Sequence, residues 1–328
     1  MTSTRRPVFD PYLHDPAQWG ASMAHHAELL LPCLDAVAPR TIVEVGALMG
    51  DLTRVLAHWA GEHGARVVAV DPVPGKSLVA LAEERAEIEL DRRVSLEALA
   101  DLPPAEAIVL DGDHNYYTVA NELRLIAEAA GDAFPFVMFH DVCWPHGRRD
   151  DYYAAEQIPE ADRHPVGGGK LVPGDPGVHD HGLEYPRSAA REGGPRNGVL
   201  TAIEDFAADR DDLRLVVVPA FFGFGALWDR GAPWADAVAA ILDPWDRNPI
   251  LERLEANRIR HLAAAHAREG ELTELRLRQA RMEGVLRRQI GSSAFSVAQA
   301  LSKLRIRLGV APAQSEISKA ENRRALGD

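Results

Sequence analysis

The stretch Thr41-Ile42-Val43-Glu44-Val45-Gly46-Ala47-Leu48-Met49-Gly50 runs from an apolar strand into a glycine turn. Residues 51–59 then carry a helical pattern. A second apolar run, 66–70, ends in Asp71, 25 residues after Gly46. Strand, glycine turn, helix, strand and acid in that order predict an α/β crevice for an adenosine-containing cofactor. The turn lets backbone approach the ligand, and the acid accepts hydrogen bonds from two ribose hydroxyls.

The glycine spacing narrows the cofactor. A dinucleotide fold uses G-x-G-x-x-G, so that backbone N–H groups cradle a pyrophosphate. Here the pattern is Glu44-x-Gly46-x-x-x-Gly50, with two glycines and an acid at the strand end. That acid repels phosphate and recruits a cationic amino-acid head, directly or through water. S-adenosylmethionine (SAM) offers an ammonium, a sulfonium and a ribose, and no phosphate. The passage resembles motif I of class I SAM-dependent methyltransferases. The resemblance implies cofactor contacts at Glu44, Gly46 and Gly50, with Asp71 as the ribose-binding acid. The plain alternative is an ordinary βαβ unit with a tight turn and an exposed acid. A nicotinamide enzyme is the weakest reading, because the third fingerprint glycine is missing.

Composition agrees with a globular enzyme. The chain has 328 residues, 46% of them hydrophobic, enough for a large core. Its two cysteines, Cys33 and Cys143, form no disulfide framework and fit a reducing, cytoplasmic setting. Residues 1–15 lack the apolar core of a signal peptide. The longest apolar stretch, 215–228, is broken by Pro219, Gly223 and Gly225, so no membrane span is expected. Charge is uneven. Residues 1–246 hold 20 Lys+Arg against 40 Asp+Glu, and residues 247–308 hold 13 against 6. The acidic body argues against nucleic acid as substrate. The basic segment suits an acidic partner, a membrane surface or the acidic body itself.

Along the chain, an amphipathic helix over 21–37 ends at Pro39. The pattern then reads β (41–45), α (51–61), β (66–71), α (76–90), a short β near Val94, β (106–111), α (115–130) and β (136–141). Alternation at this spacing predicts a doubly wound, Rossmann-like, mostly parallel sheet. A helix over 198–208 and two strands, 213–218 and 221–228, joined at Pro219-Ala220, complete seven strands with a terminal antiparallel hairpin. The expected organisation is an N-terminal helical segment (1–39), a body (40–246), a helical basic extension (247–308) and a disordered tail (309–328).

Residues 142–198 break the pattern. They are rich in Gly, Pro, His, Asp and Arg, and a loop this long reads as a functional lid or a disordered insert. Gly167-Gly168-Gly169 and Gly193-Gly194-Pro195 read as hinges. Trp144 and Tyr152-Tyr153 favour a lid that orders over substrate. Beyond the body, 250–290 is helical in propensity, with a partial apolar stripe at Leu251, Leu254, Leu262, Leu272 and Leu275. Arg258 and Glu269 interrupt a heptad register and Gly270 and Gly284 weaken it, which predicts a packing or dimerisation helix, hence a homo-oligomer, and not a long coiled coil. Residues 296–308 form a basic amphipathic helix suited to packing or to peripheral membrane contact.

A second constellation is Ala107-Ile108-Val109-Leu110-Asp111-Gly112-Asp113-His114. Residues past the carboxyl ends of strands line the crevice of an open α/β sheet. The strand over 136–139 ends in His140-Asp141. If the two strands are neighbours, Asp111, His140 and Asp141 converge, and two carboxylates with an imidazole suit a divalent cation. The D-G-D-H-x-Y run with a strand-end acid resembles metal-dependent sugar O-methyltransferases of the macrolide-tailoring type. The resemblance covers about 40–141. It implies Asp111 as metal ligand, His114 as general base, and Asp141, with His140 beside it, as the further ligands. Where that family has an acidic pair this chain has His140-Asp141, which shifts preference from Mg²⁺ toward Mn²⁺ or a later transition metal.

The expectation is transfer of a methyl group from SAM to a hydroxyl of a sugar, glycan or glycosylated metabolite. A cation would stabilise the alkoxide and His114 would take the proton. The alternatives are a metal-independent small-molecule methyltransferase using His114 alone, and a non-catalytic SAM-fold subunit that recruits a partner or membrane through its C-terminal helices.

Overall fold

The computed structural model describes residues 21–101, 105–131, 133–312 and 318. The readings of 1–15, and of most of the tail beyond Gly309, lie outside them. The strands are β1 (Thr41–Val45), β2 (Arg66–Val70), β3 (Ile88–Asp91), β4 (Ala107–Leu110), β5 (Phe136–Phe139), β6 (Lys170–Leu171), β7 (Leu183–Glu184), β8 (Leu213–Val218) and β9 (Phe224–Asp229). Seven of them form one sheet in the order β3-β2-β1-β4-β5-β9-β8. β9 is antiparallel to both neighbours, and the other pairs are parallel. The fold is therefore the expected doubly wound α/β sheet with an antiparallel end.

The helices are α1 (Ala27–Val37), α2 (Asp51–His63), α3 (Lys76–Glu84), α4 (Ser95–Asp101), α5 (Tyr116–Ala130), α6 (Val199–Ala207), α7 (Ala235–Leu242), α8 (Pro249–Gly291) and α9 (Ser293–Arg307). Strand side chains alternate between two cores, because successive residues face opposite sides of a sheet. Ile42, Val67, Val109, Phe136 and Met138 pack with α1, α2 and α7. Val43, Val68, Ile108, Leu110, Val137 and Phe139 pack with α4, α5 and α6. Burial on both faces explains why these strands read as continuous apolar runs.

Two local expectations need correction. The short strand lies at Ile88–Asp91, not near Val94, and α3 stops at Glu84 to make room for it. The hairpin turn is longer than Pro219-Ala220, and β9 begins at Phe224. Phe221 and Phe222 adopt left-handed φ angles of +47° and +68°, which leave the strand conformation. The chain divides into compact units Met1–Ala264 and Ala265–Asp328, so the division falls within α8. The first turns of α8 belong to the body because Ile259 and Leu262 are buried with Leu183 and Phe222.

The insert is anchored at many points. Asp150 accepts hydrogen bonds from the Tyr116 and Gly198 backbone N–H groups, both at 2.7 Å, and from the Tyr152 hydroxyl at 2.9 Å. Arg149 is fully buried and donates to the carbonyls of Ala189 and Pro176. The expected hinge glycines are themselves tied: Gly167 N–H donates to Ser188 and Gly193 N–H to Arg148. No helix among the described residues is long and apolar enough to cross a membrane.

Candidate functional site

The strand order reverses between β1 and β4, which opens a crevice at their carboxyl ends. Gly46 and Asp111 meet there. Gly46 has φ +86°, and a Cβ on it would collide with the carbonyl of Asp111. Gly46 N–H donates to Val70 at 2.9 Å, and Asp111 N–H donates to Val45 at 3.0 Å. The two loops are thus locked together at their first residues.

The glycine turn is stitched to the loop after β2. Asp71 accepts from Leu48 N–H at 2.7 Å through Oδ2 and from Val73 N–H at 2.8 Å through Oδ1. Gly75 N–H donates to the Leu48 carbonyl at 2.7 Å. Leu48 itself is left-handed at φ +41°. Each Asp71 oxygen keeps a second lone pair, so holding the turn leaves capacity for a ribose hydroxyl. Leu48, Met49 and Val73 rim the turn with exposed apolar surface. Gly50, at φ +85°, precedes α2.

Glu44 shares the face of Ile42 and is buried beside Thr53 of α2. Its Oε2 has no hydrogen-bond partner. Burial pushes its carboxyl up to about 8; the Thr53 hydroxyl opposes the shift, and the Asp111 and Asp71 charges add to it. That shift keeps the buried acid neutral at neutral pH, and its ionised form needs a cation or a donor beside it.

β4 and β5 are neighbours in register, Leu110 opposite Phe139, so their following residues converge. Ligand atoms of Asp111, His114 and Asp141 lie within 4.8 Å of one another. His114 Nε2 is 3.2 Å from Asp141 Oδ2 and 3.7 Å from Asp111 Oδ1. His140 reaches the same carboxylates through Nδ1, at 3.2 Å from Asp111 Oδ1 and 3.4 Å from Asp141 Oδ2, but does not belong to that tight group. Its Nε2–H donates to the Phe221 carbonyl at 3.0 Å. Phe222 N–H donates to Glu255 of α8 at 2.8 Å, which steadies the left-handed turn that holds His140.

Charges within the cluster are strongly coupled. Burial alone would lower the His114 pKa, but Asp141 and Asp111 outweigh it and push it up to about 9. Burial likewise opposes His140, and the two carboxylates raise it well above the usual imidazole range. Burial would raise both acids, yet the imidazoles hold Asp111 and Asp141 below the usual carboxylate range. Asp113 is set apart by its bonds to Thr118 Oγ1 and Tyr153 N–H, which tie α5 to the insert.

Sequence reading did not single out His146, Tyr185 or Arg187. His146 stacks on His114 with ring centroids 4.8 Å apart, and burial lowers its pKa to about 4. Tyr153 meets His114 edge-on at 5.4 Å, Tyr185 meets His146 at 5.0 Å, and Arg187 lies 4.2 Å over Tyr153. All come from the insert, whose composition carries no periodicity to mark them.

No family model and no curated protein matches the sequence. Solved structures align over about two thirds of the chain. One is an S-adenosylhomocysteine-bound methyltransferase, PaMTH1, from Podospora anserina, at 15% identity and a TM-score of 0.42, covering 66% of this chain and 83% of that one. Another is the O-methyltransferase TomG from Streptomyces achromogenes, in complex with SAM, at 15% identity and 0.41, covering 68% and 91%. A third is NcsB1, an O-methyltransferase of neocarzinostatin biosynthesis, at 18% identity and 0.36, covering 67% and 58%.

Proposed function

We propose that this chain is a SAM-dependent O-methyltransferase that holds its acceptor hydroxyl with a divalent cation. The observation that carries the reading is the meeting of Asp111, His114 and Asp141 beside the Gly46 turn. The cofactor residues fit SAM: Glu44 presents an unpartnered buried oxygen suited to an ammonium, and Asp71 ends β2 with spare acceptor capacity. The donor set fits a divalent cation, since two carboxylate oxygens and one imidazole nitrogen leave positions open. When bound, SAM supplies an activated methyl group and the cation supplies Lewis acidity at an oxygen.

The chain's own residues do the positioning. His140 orients both carboxylates from below while its Nε2 is pinned to Phe221. With its pKa near 9 in the cation-free protein, His114 carries a proton at neutral pH. Because its Nε2 closes the group with Asp111 and Asp141, we assign it to the cation, for which it must shed that proton, instead of to the general-base role that the resemblance implies. Trp144, Tyr153 and Tyr185 offer aromatic faces with polar edges, which supports a sugar or glycosylated metabolite as acceptor.

The test is transfer of label from labelled SAM to compounds in a cell extract, with mass spectrometry of the product. Transfer should stop on exhaustive chelation and return with Mg²⁺ or Mn²⁺. Full transfer in chelated protein would remove the cation from the reading. Absence of SAM binding by calorimetry would remove the whole reading.

A further inference from the structure

The C-terminal half of α8 lies in the second compact unit, and every residue from 271 to 282 is exposed. A helix gains most of its stability from a packed face, and three turns this exposed gain little of it. Yet this stretch is not polar all round. Leu272, Leu275, Met282 and Leu286 are 52%, 59%, 66% and 42% exposed. With Gln279 between them, their spacing alternates three and four, which is the a/d seam of a heptad repeat. In that register Gly270 and Gly284 both fall at f, the position farthest from the seam, together with Leu277.

We infer that residues 271–286 form a parallel, in-register two-stranded coiled coil with a second copy of this chain. Charge complementarity identifies the occupant. Flanking g and e positions pair between helices as residue i with i+5 of the neighbour. Glu271 (g) then meets Arg276 (e) of the second copy, and Arg278 (g) meets Glu283 (e). Both pairs are opposite in sign, and symmetry repeats each of them. Within one chain Arg278 bonds Glu274, and Gln279 bonds Glu283 at 2.8 Å. Such exposed i,i+4 contacts are worth only a few tenths of a kcal/mol, so exchanging them costs little.

The seam also sets the direction. In the parallel alignment Gln279 faces Gln279 of the second copy, and two amides satisfy each other. In antiparallel pairings an a residue faces a d residue, which puts the Gln279 amide against Leu275 or Met282. The alignment that pairs Leu272 with Met282 also brings Arg278 to Arg278 and Arg276 to Arg276. α9 has its own stripe, Val297, Leu301, Leu304 and Leu308, but its charges are Lys303, Arg305 and Arg307, with no acid between 293 and 307. Two copies of α9 offer each other no opposite charge.

The inference is independent of the proposed chemistry, and the full-length chain tests it. Sedimentation equilibrium over a concentration series should show a reversible monomer–dimer equilibrium. Met282→Glu should raise the dimer dissociation constant by at least about tenfold, a cost of one buried unpaired charge, without changing the melting of the body. Glu271→Arg should weaken the dimer, and Glu271→Arg with Arg276→Glu should restore it. Gln279→Cys should give a covalent dimer on mild oxidation that the parent chain does not give. A chain that stays monomeric throughout, including one that instead binds anionic vesicles, overturns the proposal. So does a dimer indifferent to Met282→Glu and to the charge exchange.

Discussion

His114 Nε2 stands 3.2 Å from Asp141 Oδ2 and forms no hydrogen bond with it. The two atoms are close but not aimed at each other. Donors that share a focus off the line between them have this geometry, and the cation proposed above would supply the missing partner there.

Cation binding should therefore release a proton. His114, pushed up to about 9 by Asp141 and Asp111, is an imidazolium below that pH and must lose its proton to coordinate. Affinity for Mn²⁺ should climb by about tenfold per pH unit toward pH 9 and then level off. Calorimetry at pH 7 in two buffers of different ionisation enthalpy should report about one proton released per cation. No proton release, with affinity flat in pH, would return His114 to a role outside the ligand set.

Asp141→Asn should remove the charge while keeping the backbone. Asp141 sits at φ +56°, and asparagine tolerates the left-handed region as aspartate does. The variant removes the charge that pairs with His114 and His140, so it should melt lower than the parent at neutral pH, and it should lose cation binding by roughly tenfold or more. A large loss of stability with unchanged Mn²⁺ affinity would make Asp141 a structural residue only.

How much of this was legible in the sequence follows from what each element rests on. β1, β2, β4 and β5 are buried on both faces, so their apolar runs announce them, and the acids at their ends mark the crevice. β3 is as short as β4 and β5 but carries Glu89 and Asp91 and is buried only at Ile88, so no apolar run marks it off from α3. Asp111, His114 and Asp141 were legible because each follows a readable strand. That His140 lies between Phe221 and the carboxylates was not, because its partner is a backbone carbonyl on a left-handed turn. Tyr153 was picked out as an aromatic of the insert, but its meeting with Tyr185 and His146 around His114 arises from long-range anchoring of the insert by Asp150 and Arg149, which leaves no local pattern.

Gly46→Ala should damage stability and site together. The backbone there is left-handed, and the added methyl meets the Asp111 carbonyl and Gly112, both backbone, which do not swing aside as a flexible side chain would. The loss should exceed about 1 kcal/mol, because strain adds to the cost of the left-handed angle. Thermal melting reads the first effect, and Mn²⁺ affinity reads the displacement of Asp111. An alanine variant with parental melting and parental affinity would show that the two loops are not locked.

Glu44→Gln should stabilise the empty protein and weaken the cofactor. The folded carboxyl titrates near 8 because burial disfavours its charge, whereas an unfolded glutamate titrates near its ordinary value of about 4.3. Between those values the folded state holds a proton that the unfolded state has released. Stability therefore falls as pH rises through that window, and the loss is complete above the folded pKa. Glutamine carries no charge at any of these pH values, so its melting advantage should be small near pH 4 and largest at pH 8 and above. If Glu44 receives the ammonium of SAM, the same substitution should lower SAM affinity, since a charge-assisted contact becomes a neutral one. Differential scanning calorimetry from pH 4 to 9, paired with SAM titration at pH 8, tests both halves. A glutamine variant that melts lower than the parent at pH 8 and binds SAM equally well would place Glu44 among the core residues that hold α2, with no part in the cofactor site.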